Sequence, residues 1–177
     1  LMVHEHQTDM HNFITRAGYE ARLALHHDAV MNRAFDRPED HVSETTRSRI
    51  AKASEEFVKH MLFVGETKLT DGIEGTSAFA KEFTAKGRRD AKGRSLRDFD
   101  LKTRLFRYPC SYLIHSASFR ALPPRVKEHV YARLHEILTG KDRSADFAHL
   151  SATDRQAIRE ILLETHEDLP STWRSVR

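Results

Sequence analysis

The feature that most constrains the fold is a regular spacing of apolar residues at the start of the chain, over residues 3–35. Apolar and small side chains recur there at intervals of three and four, and charged side chains fall between them. The apolar series is Met10, Phe13, Ile14, Ala17, Ala21, Ala24, Leu25, Val30, Met31 and Ala34. Since an α-helix repeats about every 3.6 residues, this spacing predicts one long amphipathic helix that ends before Pro38.

A second period predicts the partner of this helix. Ser43 can cap a helix because its side-chain oxygen accepts an N–H group of the first turn, and Gly65 marks the end. Between them, apolar residues again recur at intervals of three and four, at Ile50, Ala53, Phe57, Met61 and Val64. Two amphipathic helices with a short connection pack antiparallel, so residues 3–35 and 43–64 predict a helical hairpin on which the remainder builds.

A loop and a short helix are predicted next. Residues 66–76 contain glycines and no sustained period, which is typical of a loop. Residues 77–85 can then form a short helix with Gly87 as its left-handed cap. The apolar residues that this helix would bury are Phe79, Ala80 and Phe83.

The middle of the chain predicts further helices. Ser95 and Asp98 resemble a capping box, and this pattern predicts a helix after them. Pro109 either breaks that helix or begins the next one, over residues 110–122. The apolar positions of the first helix are Leu101, Leu105 and Tyr108.

Two more helices are predicted in the C-terminal part, and the last of them has the clearest start in the chain. One covers residues 125–139 and ends at Gly140. The other begins at Ser151, with Asp154 at its third position, and Trp173 is expected to dock back on the bundle. Strand periodicity is absent, so we predict an all-α, single-domain bundle of five or six helices around the N-terminal antiparallel pair.

Composition narrows the classes of partner. The chain has 177 residues, and its 29 basic residues against 26 acidic ones give a formal charge of +3 with twelve neutral histidines. This length suits one domain with one core, and a start at Leu1 is compatible with a piece of a longer protein. The opposite charges are interleaved, which favours a solvated mixed-charge surface over a nucleic-acid site. The partner that we expect is a protein. No run approaches the roughly 18 apolar residues of a membrane span.

Histidines and carboxylates on the first helix predict a candidate metal site. Ligands on one helix must lie three, four or seven residues apart, and the candidates here are His4, Glu5, His6 and His11. Thr8 stands where the zinc-protease motif needs its second histidine, so that motif is excluded. Helpers could come from Glu20, His26, His27 and His60. Such ligands suit a transition metal or non-covalent haem more than magnesium.

His6 carries two alternatives. It lies on the apolar side of the helix, between Val3 and Met10. A buried neutral imidazole needs a hydrogen-bond partner or a metal. A core histidine with a hydrogen-bond partner is the commoner outcome, and the metal site is its rival.

The most basic stretch of the chain, residues 86–97, also carries two alternatives. It contains two glycines and four candidate anion ligands, namely Arg88, Arg89, Lys92 and Arg94. One alternative is an exposed loop with solvated charges. The other is an anion or nucleic-acid site, because glycines let backbone amides approach an anion.

Cys110 is the single cysteine, which excludes an intrachain disulfide. A position after Arg107 and at a helix start would lower the pKa of a thiol. His115 lies five residues further, however, and residues five apart do not share a helix face. A buried structural thiol is therefore favoured over a nucleophile.

Three segments of the second half carry a resemblance to known proteins. They are LRDFDLKTRLFRYPCSYLI at residues 96–114, FAHLSATDRQAIREILLET at 147–165 and LPSTW at 169–173. They are similar to the C-terminal region of uncharacterised bacterial proteins associated with export. The resemblance implies a bacterial protein in the periplasm or outside the cell, and it implies no catalytic residue.

Residues 150–163 also resemble the closing helix of c-type cytochromes. The haem-attachment motif Cys-x-x-Cys-His is absent, since Cys110 stands alone, so covalent haem is excluded. The leading functional prediction is a non-catalytic binding or assembly domain. Its alternatives are the metal or haem site on the first helix and the anion site in residues 86–97.

Overall fold

Two long helices form the N-terminal third of the fold. The computed structural model describes residues 1–75 and 77–174. Helix α1 runs over Met2–Ala34 and α2 over Glu44–Met61. Their facing sides bury Met10, Ile14, Ala17, Ala21 and Ala24 on α1 and Ile50, Phe57, Val58 and Met61 on α2. These residues follow the predicted apolar spacing. Near the end of α1 the prediction is wrong, because Val30 and Ala34 are exposed.

Polar contacts set the direction of this helix pair. Ser43 donates its backbone N–H and its hydroxyl to the Asp28 carboxylate, each at 2.8 Å. The Thr46 hydroxyl donates to the Ala24 carbonyl at 3.3 Å. Residue numbers rise on α2 as they fall on α1, so the predicted antiparallel pair is confirmed. Ser43 also caps α2 as predicted, because its oxygen accepts the Thr46 N–H at 3.1 Å.

Four further helices of the described residues complete the bundle. They are α3 over Phe79–Ala85, α4 over Ala117–Arg120, α5 over Pro124–Leu138 and α6 over Ala152–Thr165. Helix α5 packs on both α2 and α6. Short 3-10 turns cover Tyr112–His115, Ala145–Phe147 and Ser171–Arg174. The predicted all-α fold is confirmed.

The helix predicted after Ser95 is wrong. The Asp98 carboxylate does accept the Ser95 N–H, at 2.9 Å, but the chain then extends, and Phe99 pairs with Phe106 as an isolated antiparallel bridge. Asp100 turns the chain between them, because its carboxylate accepts three of the N–H groups that follow. Side-chain bonds of this kind compete with the backbone bonds of a helix.

The helix predicted over residues 110–122 is interrupted. A 3-10 turn covers Tyr112–His115 and α4 covers Ala117–Arg120. Ser116 stands between them in extended geometry, with φ −72° and ψ 155°. Its hydroxyl oxygen accepts the Phe119 N–H at 3.1 Å, so a serine that could sit inside one helix starts a second one instead.

Three predictions at the ends of helices are also wrong. Helix α2 ends at Met61 rather than at Val64, since Phe63 adopts a left-handed φ of 59° and turns the chain. Gly87 is not a left-handed cap; it packs against a serine side chain instead. Phe79 is 52% exposed rather than buried, because the short α3 buries Phe83 alone.

The C-terminal part follows the prediction closely. Gly140 has the left-handed φ of 75° expected just past the end of α5. Ser151 and Asp154 form both bonds of a capping box at the start of α6. Trp173 is 1% exposed and lies edge-on to the ring of His135, so it docks on the bundle as expected.

A buried guanidinium joins α5, α6 and the loop between them. Arg155 on α6 is 8% exposed. It donates to the carbonyls of Ile137, Asp142, Phe147 and Leu150. Four carbonyl acceptors satisfy a charged donor that has left water. Among the helices of the described ranges, none is both long and apolar enough to cross a membrane.

We predict that Ser151→Ala lowers the free energy of unfolding by about 1 kcal/mol, because the first turn of α6 loses its side-chain acceptor. Urea denaturation measures the difference. Thr153→Ala is the matched control: it removes an exposed hydroxyl on the same turn and should leave stability nearly unchanged. Equal effects of the two substitutions would contradict a capping role for Ser151.

Candidate functional site

His6 is a core histidine with a hydrogen-bond partner. Its Nε2 lies 2.8 Å from the hydroxyl oxygen of Ser111, and the residue is 8% exposed. Its ring stacks on Phe63, with centroids 4.5 Å apart. Burial, and secondarily the nearby His60, lower the pKa of His6 to about 4. The hydrogen-bonded alternative for His6 is therefore the one found.

The other candidate metal ligands do not join His6. His4 and Glu5 are exposed and His11 is half-buried. Within residues 1–75 and 77–174, no three His, Cys, Asp or Glu side chains lie together so that they could hold a metal ion. Cys110 is fully buried, and burial raises the pKa of its thiol to about 12, as expected for a structural thiol.

Residues 86–97, the basic segment, are fastened to α6 by ion pairs. Arg94 contacts Glu160 on α6 at 2.6 Å and also pairs with the buried Asp90. Lys92 contacts the same Glu160 at 2.8 Å. The pKa of Glu160 falls to about 2, chiefly through its bonds with Lys92 and Arg94. Two of the four predicted anion ligands are thus matched by carboxylates of the protein.

The remaining two predicted ligands differ from each other. Arg89 contacts Asp98 at 3.2 Å, so it too faces a carboxylate. Arg88 donates to the Thr165 carbonyl at 3.1 Å. Its only carboxylate contact in the described part of the chain is the exposed Glu167, at 3.5 Å. Arg88 therefore keeps much of its charge available.

A pocket of about 190 Å³ lies between the basic segment and the residues before α4. Its lining consists of Lys86, Arg88, Ser95, Leu96, Arg97, Tyr112, Leu113, His115 and Ser116. Three of these side chains are permanent cations, one is a histidine and none is acidic; we call this the cationic pocket. At about 30 Å³ per water molecule, the pocket has room for about six waters. That volume suits a small anion rather than a chain segment.

Arg97 is the most distinctive group of the cationic pocket. Its guanidinium lies over the ring of Phe83, at 4.7 Å from the centroid, and over that of Tyr112, at 4.4 Å. Cation-π contacts of this kind orient a guanidinium without neutralising it. No carboxylate or carbonyl within the described ranges accepts its side-chain N–H groups. Its five N–H donors therefore remain available to a ligand.

Two serine hydroxyls add neutral donors. The Ser95 hydroxyl oxygen accepts the backbone N–H of Arg97 at 3.2 Å, and the Ser116 hydroxyl oxygen accepts the backbone N–H of Phe119 at 3.1 Å. The hydrogen of each hydroxyl can be donated to a ligand, since none of the described residues accepts it. Gly87 permits this arrangement, because a Cβ at that position would lie 2.2 Å from the Ser95 oxygen.

Four side chains form a hydrogen-bonded row behind the pocket, which we call the histidine chain: Thr165, His115, His166 and Tyr131. The Thr165 hydroxyl donates its hydrogen to the Ile161 carbonyl at 2.7 Å. Its oxygen lies 3.5 Å from His115 Nε2. His115 Nδ1 lies 3.3 Å from His166 Nδ1. Finally, His166 Nε2 lies 2.9 Å from the Tyr131 hydroxyl.

We assign the protons of the two neutral rings from these contacts. Because the Thr165 hydroxyl donates its hydrogen to a carbonyl, it can only accept, which favours a proton on His115 Nε2. His115 Nδ1 is then an acceptor, so His166 carries its proton on Nδ1. His166 Nε2 accepts in turn from the Tyr131 hydroxyl. Each of the four side chains then donates one hydrogen to one acceptor.

Burial and neighbouring cations favour the neutral state of both rings. The pKa of His115 falls to about 3, through burial first and then through His166, Arg88, Arg97 and Arg120. The pKa of His166 falls to about 4, again mainly through burial, although Asp168 acts in the opposite direction. Near neutral pH the histidine chain is uncharged, and the pocket charge comes from its lysine and arginines.

Sequence reasoning found the basic segment but not the members that form the pocket. Of the four residues it chose, only Arg88 lines the pocket, joined by Lys86 and Arg97 from the same segment. His115 and His166 are 51 residues apart, and no local spacing connects them. The one available signal was the basic segment itself.

Comparison with known proteins adds no further information. The chain matches no family model, no curated protein and no solved structure. The function must therefore be argued from the geometry of the pocket.

We predict that His115 carries its proton on Nε2 and His166 carries its proton on Nδ1 at pH 8. Long-range proton–nitrogen NMR spectra of protein with labelled histidines distinguish the two tautomers. Thr165→Val removes the acceptor of His115 and should shift the His115 signals while leaving those of the exposed His26 in place. Identical tautomers for His115 and His166 would contradict the assigned row.

We predict that stability falls as the pH drops from about 6.5 towards 4. His6, His115 and His166 have lowered pKa values when folded, so the unfolded chain takes up protons first. Each such histidine costs about 1.4 kcal/mol per pH unit across this window. Urea denaturation at pH 7, 6 and 5 measures the slope.

The matched variants for this experiment are His6→Gln and the exposed His26→Gln. The first should flatten the slope and the second should not change it. Carboxylates with lowered pKa, such as Glu160, lose their contribution only at lower pH and do not interfere. A free energy of unfolding that stays constant from pH 7 to pH 5 would sink the prediction.

Proposed function

We propose that this chain is a non-catalytic binding domain whose ligand is a small anion held in the cationic pocket. The leading sequence prediction is a binding or assembly domain, and this proposal makes it specific by assigning the binding to the cationic pocket. The anion alternative for residues 86–97 is kept as well, with a different set of ligands.

The proposal rests on the environment of the Arg97 guanidinium. Charged side chains that leave bulk water are normally paired, because an unpaired charge loses solvation. Arg97 is half-buried against two aromatic rings, yet it faces a pocket without acidic residues. An anion in the pocket would complete this arrangement with charge-assisted hydrogen bonds.

The other lining residues fit the same ligand. Lys86 and Arg88 add charge from one side, and the hydroxyls of Ser95 and Ser116 add neutral donors. The small volume favours an oxyanion over a nucleotide or a nucleic-acid strand. Ion pairs with protein carboxylates occupy Arg89, Lys92 and Arg94, so they support the pocket rather than contact the ligand.

Three other sequence hypotheses remain predictions. A metal or haem site on α1 would need ligands from beyond the four candidates His4, Glu5, His6 and His11. The export-associated location implied by the resemblance of residues 96–114 likewise stays a prediction, as does a protein partner.

Titration calorimetry with inorganic phosphate and with sulfate tests the proposal, with acetate as a monovalent comparison. Arg97→Gln should weaken binding roughly 10- to 100-fold, since a hydrogen bond to a charged group contributes about 1.5 to 3 kcal/mol. Lys86→Gln, at an exposed position, should weaken it less. Binding should also weaken as ionic strength rises.

Arg37→Gln, on the exposed link between α1 and α2, is the charge-matched control and should leave affinity unchanged. Circular dichroism of each variant checks that it is folded. Equal losses for Arg97→Gln and Arg37→Gln, or no binding of either dianion at millimolar concentration, would refute the proposal.

A further inference from the structure

We propose that the cationic pocket takes up its anion together with one proton, which is stored on the His115–His166 pair, and that its ligand class is a dianionic oxyanion. This inference rests on the proposed function, since it concerns the same pocket. It adds a ligand charge and a dependence on pH that the pocket alone does not specify.

The histidine chain can accept one proton by reversing its direction. In the neutral row, His166 Nδ1–H donates to His115 Nδ1. The added proton is relayed along the row from the Tyr131 end. The Tyr131 hydroxyl passes its hydrogen to His166 Nε2, 2.9 Å away, and takes one proton that comes ultimately from solvent. His166 passes its Nδ1 proton to His115 Nδ1 across 3.3 Å, so His115 is protonated on both nitrogens and His166 stays neutral with its proton on Nε2. The Tyr131 oxygen then accepts the His166 Nε2–H, its own hydrogen points away from His166, and the total gain is one proton.

A second proton is excluded by the same geometry. With both rings charged, N–H would face N–H across the gap of 3.3 Å between the two Nδ1 atoms. A charged His115 keeps its Nε2–H bond to Thr165, so this end of the row is unchanged. The capacity of the pair is therefore one proton, located on the ring that lines the pocket.

The charges around the pair explain why His115 stays neutral until an anion binds. The groups that face His115 are Arg88 and Arg97 of the basic segment, Arg120 at the end of α4, His166 and Thr165 beyond the pocket, and the pocket residues Lys86 and Tyr112. The carboxylates nearby, Glu167 and Asp168, act on His166 instead. An added proton on His115 is thus opposed by several cations and by burial.

An anion in the pocket makes protonation of His115 more favourable. It places negative charge beside the ring of His115 and offsets the field of Arg88 and Arg97. By linkage, an anion that favours protonation is itself bound more tightly when the proton is available. Charge balance also selects the ligand, since three permanent cations and a charged histidine match a divalent oxyanion better than a monovalent one.

Sulfate is the probe for the test, because it stays a dianion across the pH range, whereas phosphate changes its own protonation. Calorimetry of sulfate binding is repeated from pH 8 to pH 5.5, in pairs of buffers with different heats of ionisation. The buffer dependence of the binding heat gives the number of protons taken up. We expect it to rise from near zero at pH 8 towards one, and affinity to rise by up to about tenfold per pH unit.

His115→Gln should abolish the buffer dependence, because the ring that stores the proton is gone. His26→Gln, at an exposed position on α1, should leave it intact. In NMR spectra at pH 5.5, sulfate should raise the doubly protonated fraction of His115, and chloride at equal ionic strength should not.

The outcomes separate the two proposals. Sulfate binding with no proton uptake and no pH dependence would overturn this inference and leave the anion pocket standing. Uptake that persists in His115→Gln, or acetate binding as tightly as sulfate, would also overturn it. Absence of sulfate binding at every pH would overturn the anion pocket itself.

Discussion

The position of the basic segment depends on the ion pairs among Asp90, Arg94 and Glu160. The side chain of Asp90 is fully buried, and its oxygens accept the Arg94 guanidinium and two backbone N–H groups. An unpaired buried carboxylate would cost several kcal/mol, so this loop has one favourable arrangement. Residues 86–97 have no regular helix or strand, and they take their place against α6 from these bonds. The cationic pocket forms behind them.

The basic side chains of this region divide into two groups by what they contact. Arg94, Lys92 and Arg89 each meet a carboxylate and hold the segment in place. Arg97 instead lies over two aromatic rings, and Lys86 is exposed at the pocket. Structural cations and candidate ligand-binding cations thus occur within the same dozen residues. Their residue types are the same, and only the neighbours supplied by distant parts of the chain distinguish them.

The histidines divide in a similar way. His4 and His26 are exposed on α1, whereas His6, deeper on the same helix, shares a hydrogen bond with Ser111. The apolar neighbours of His6 in the sequence were enough to predict that it would be buried and would need a partner. They could not name Ser111, which lies 105 residues away. The pair of His115 and His166 was not predicted, because no pattern in the sequence around either histidine indicates a contact with the other.

The sequence by itself determined the helices whose signals are local: the apolar period of α1 and α2, the Ser43 cap and the capping box at Ser151. Those signals act within a few residues, where propensity and side-chain caps dominate. Only the tertiary structure decided the irregular middle of the chain, where backbone N–H groups bond to distant residues: Leu105 N–H donates to the Glu66 carboxylate and Ser111 N–H to the Met61 carbonyl. It also decided the cationic pocket, because the charge left on an arginine depends on which carboxylates fold against it.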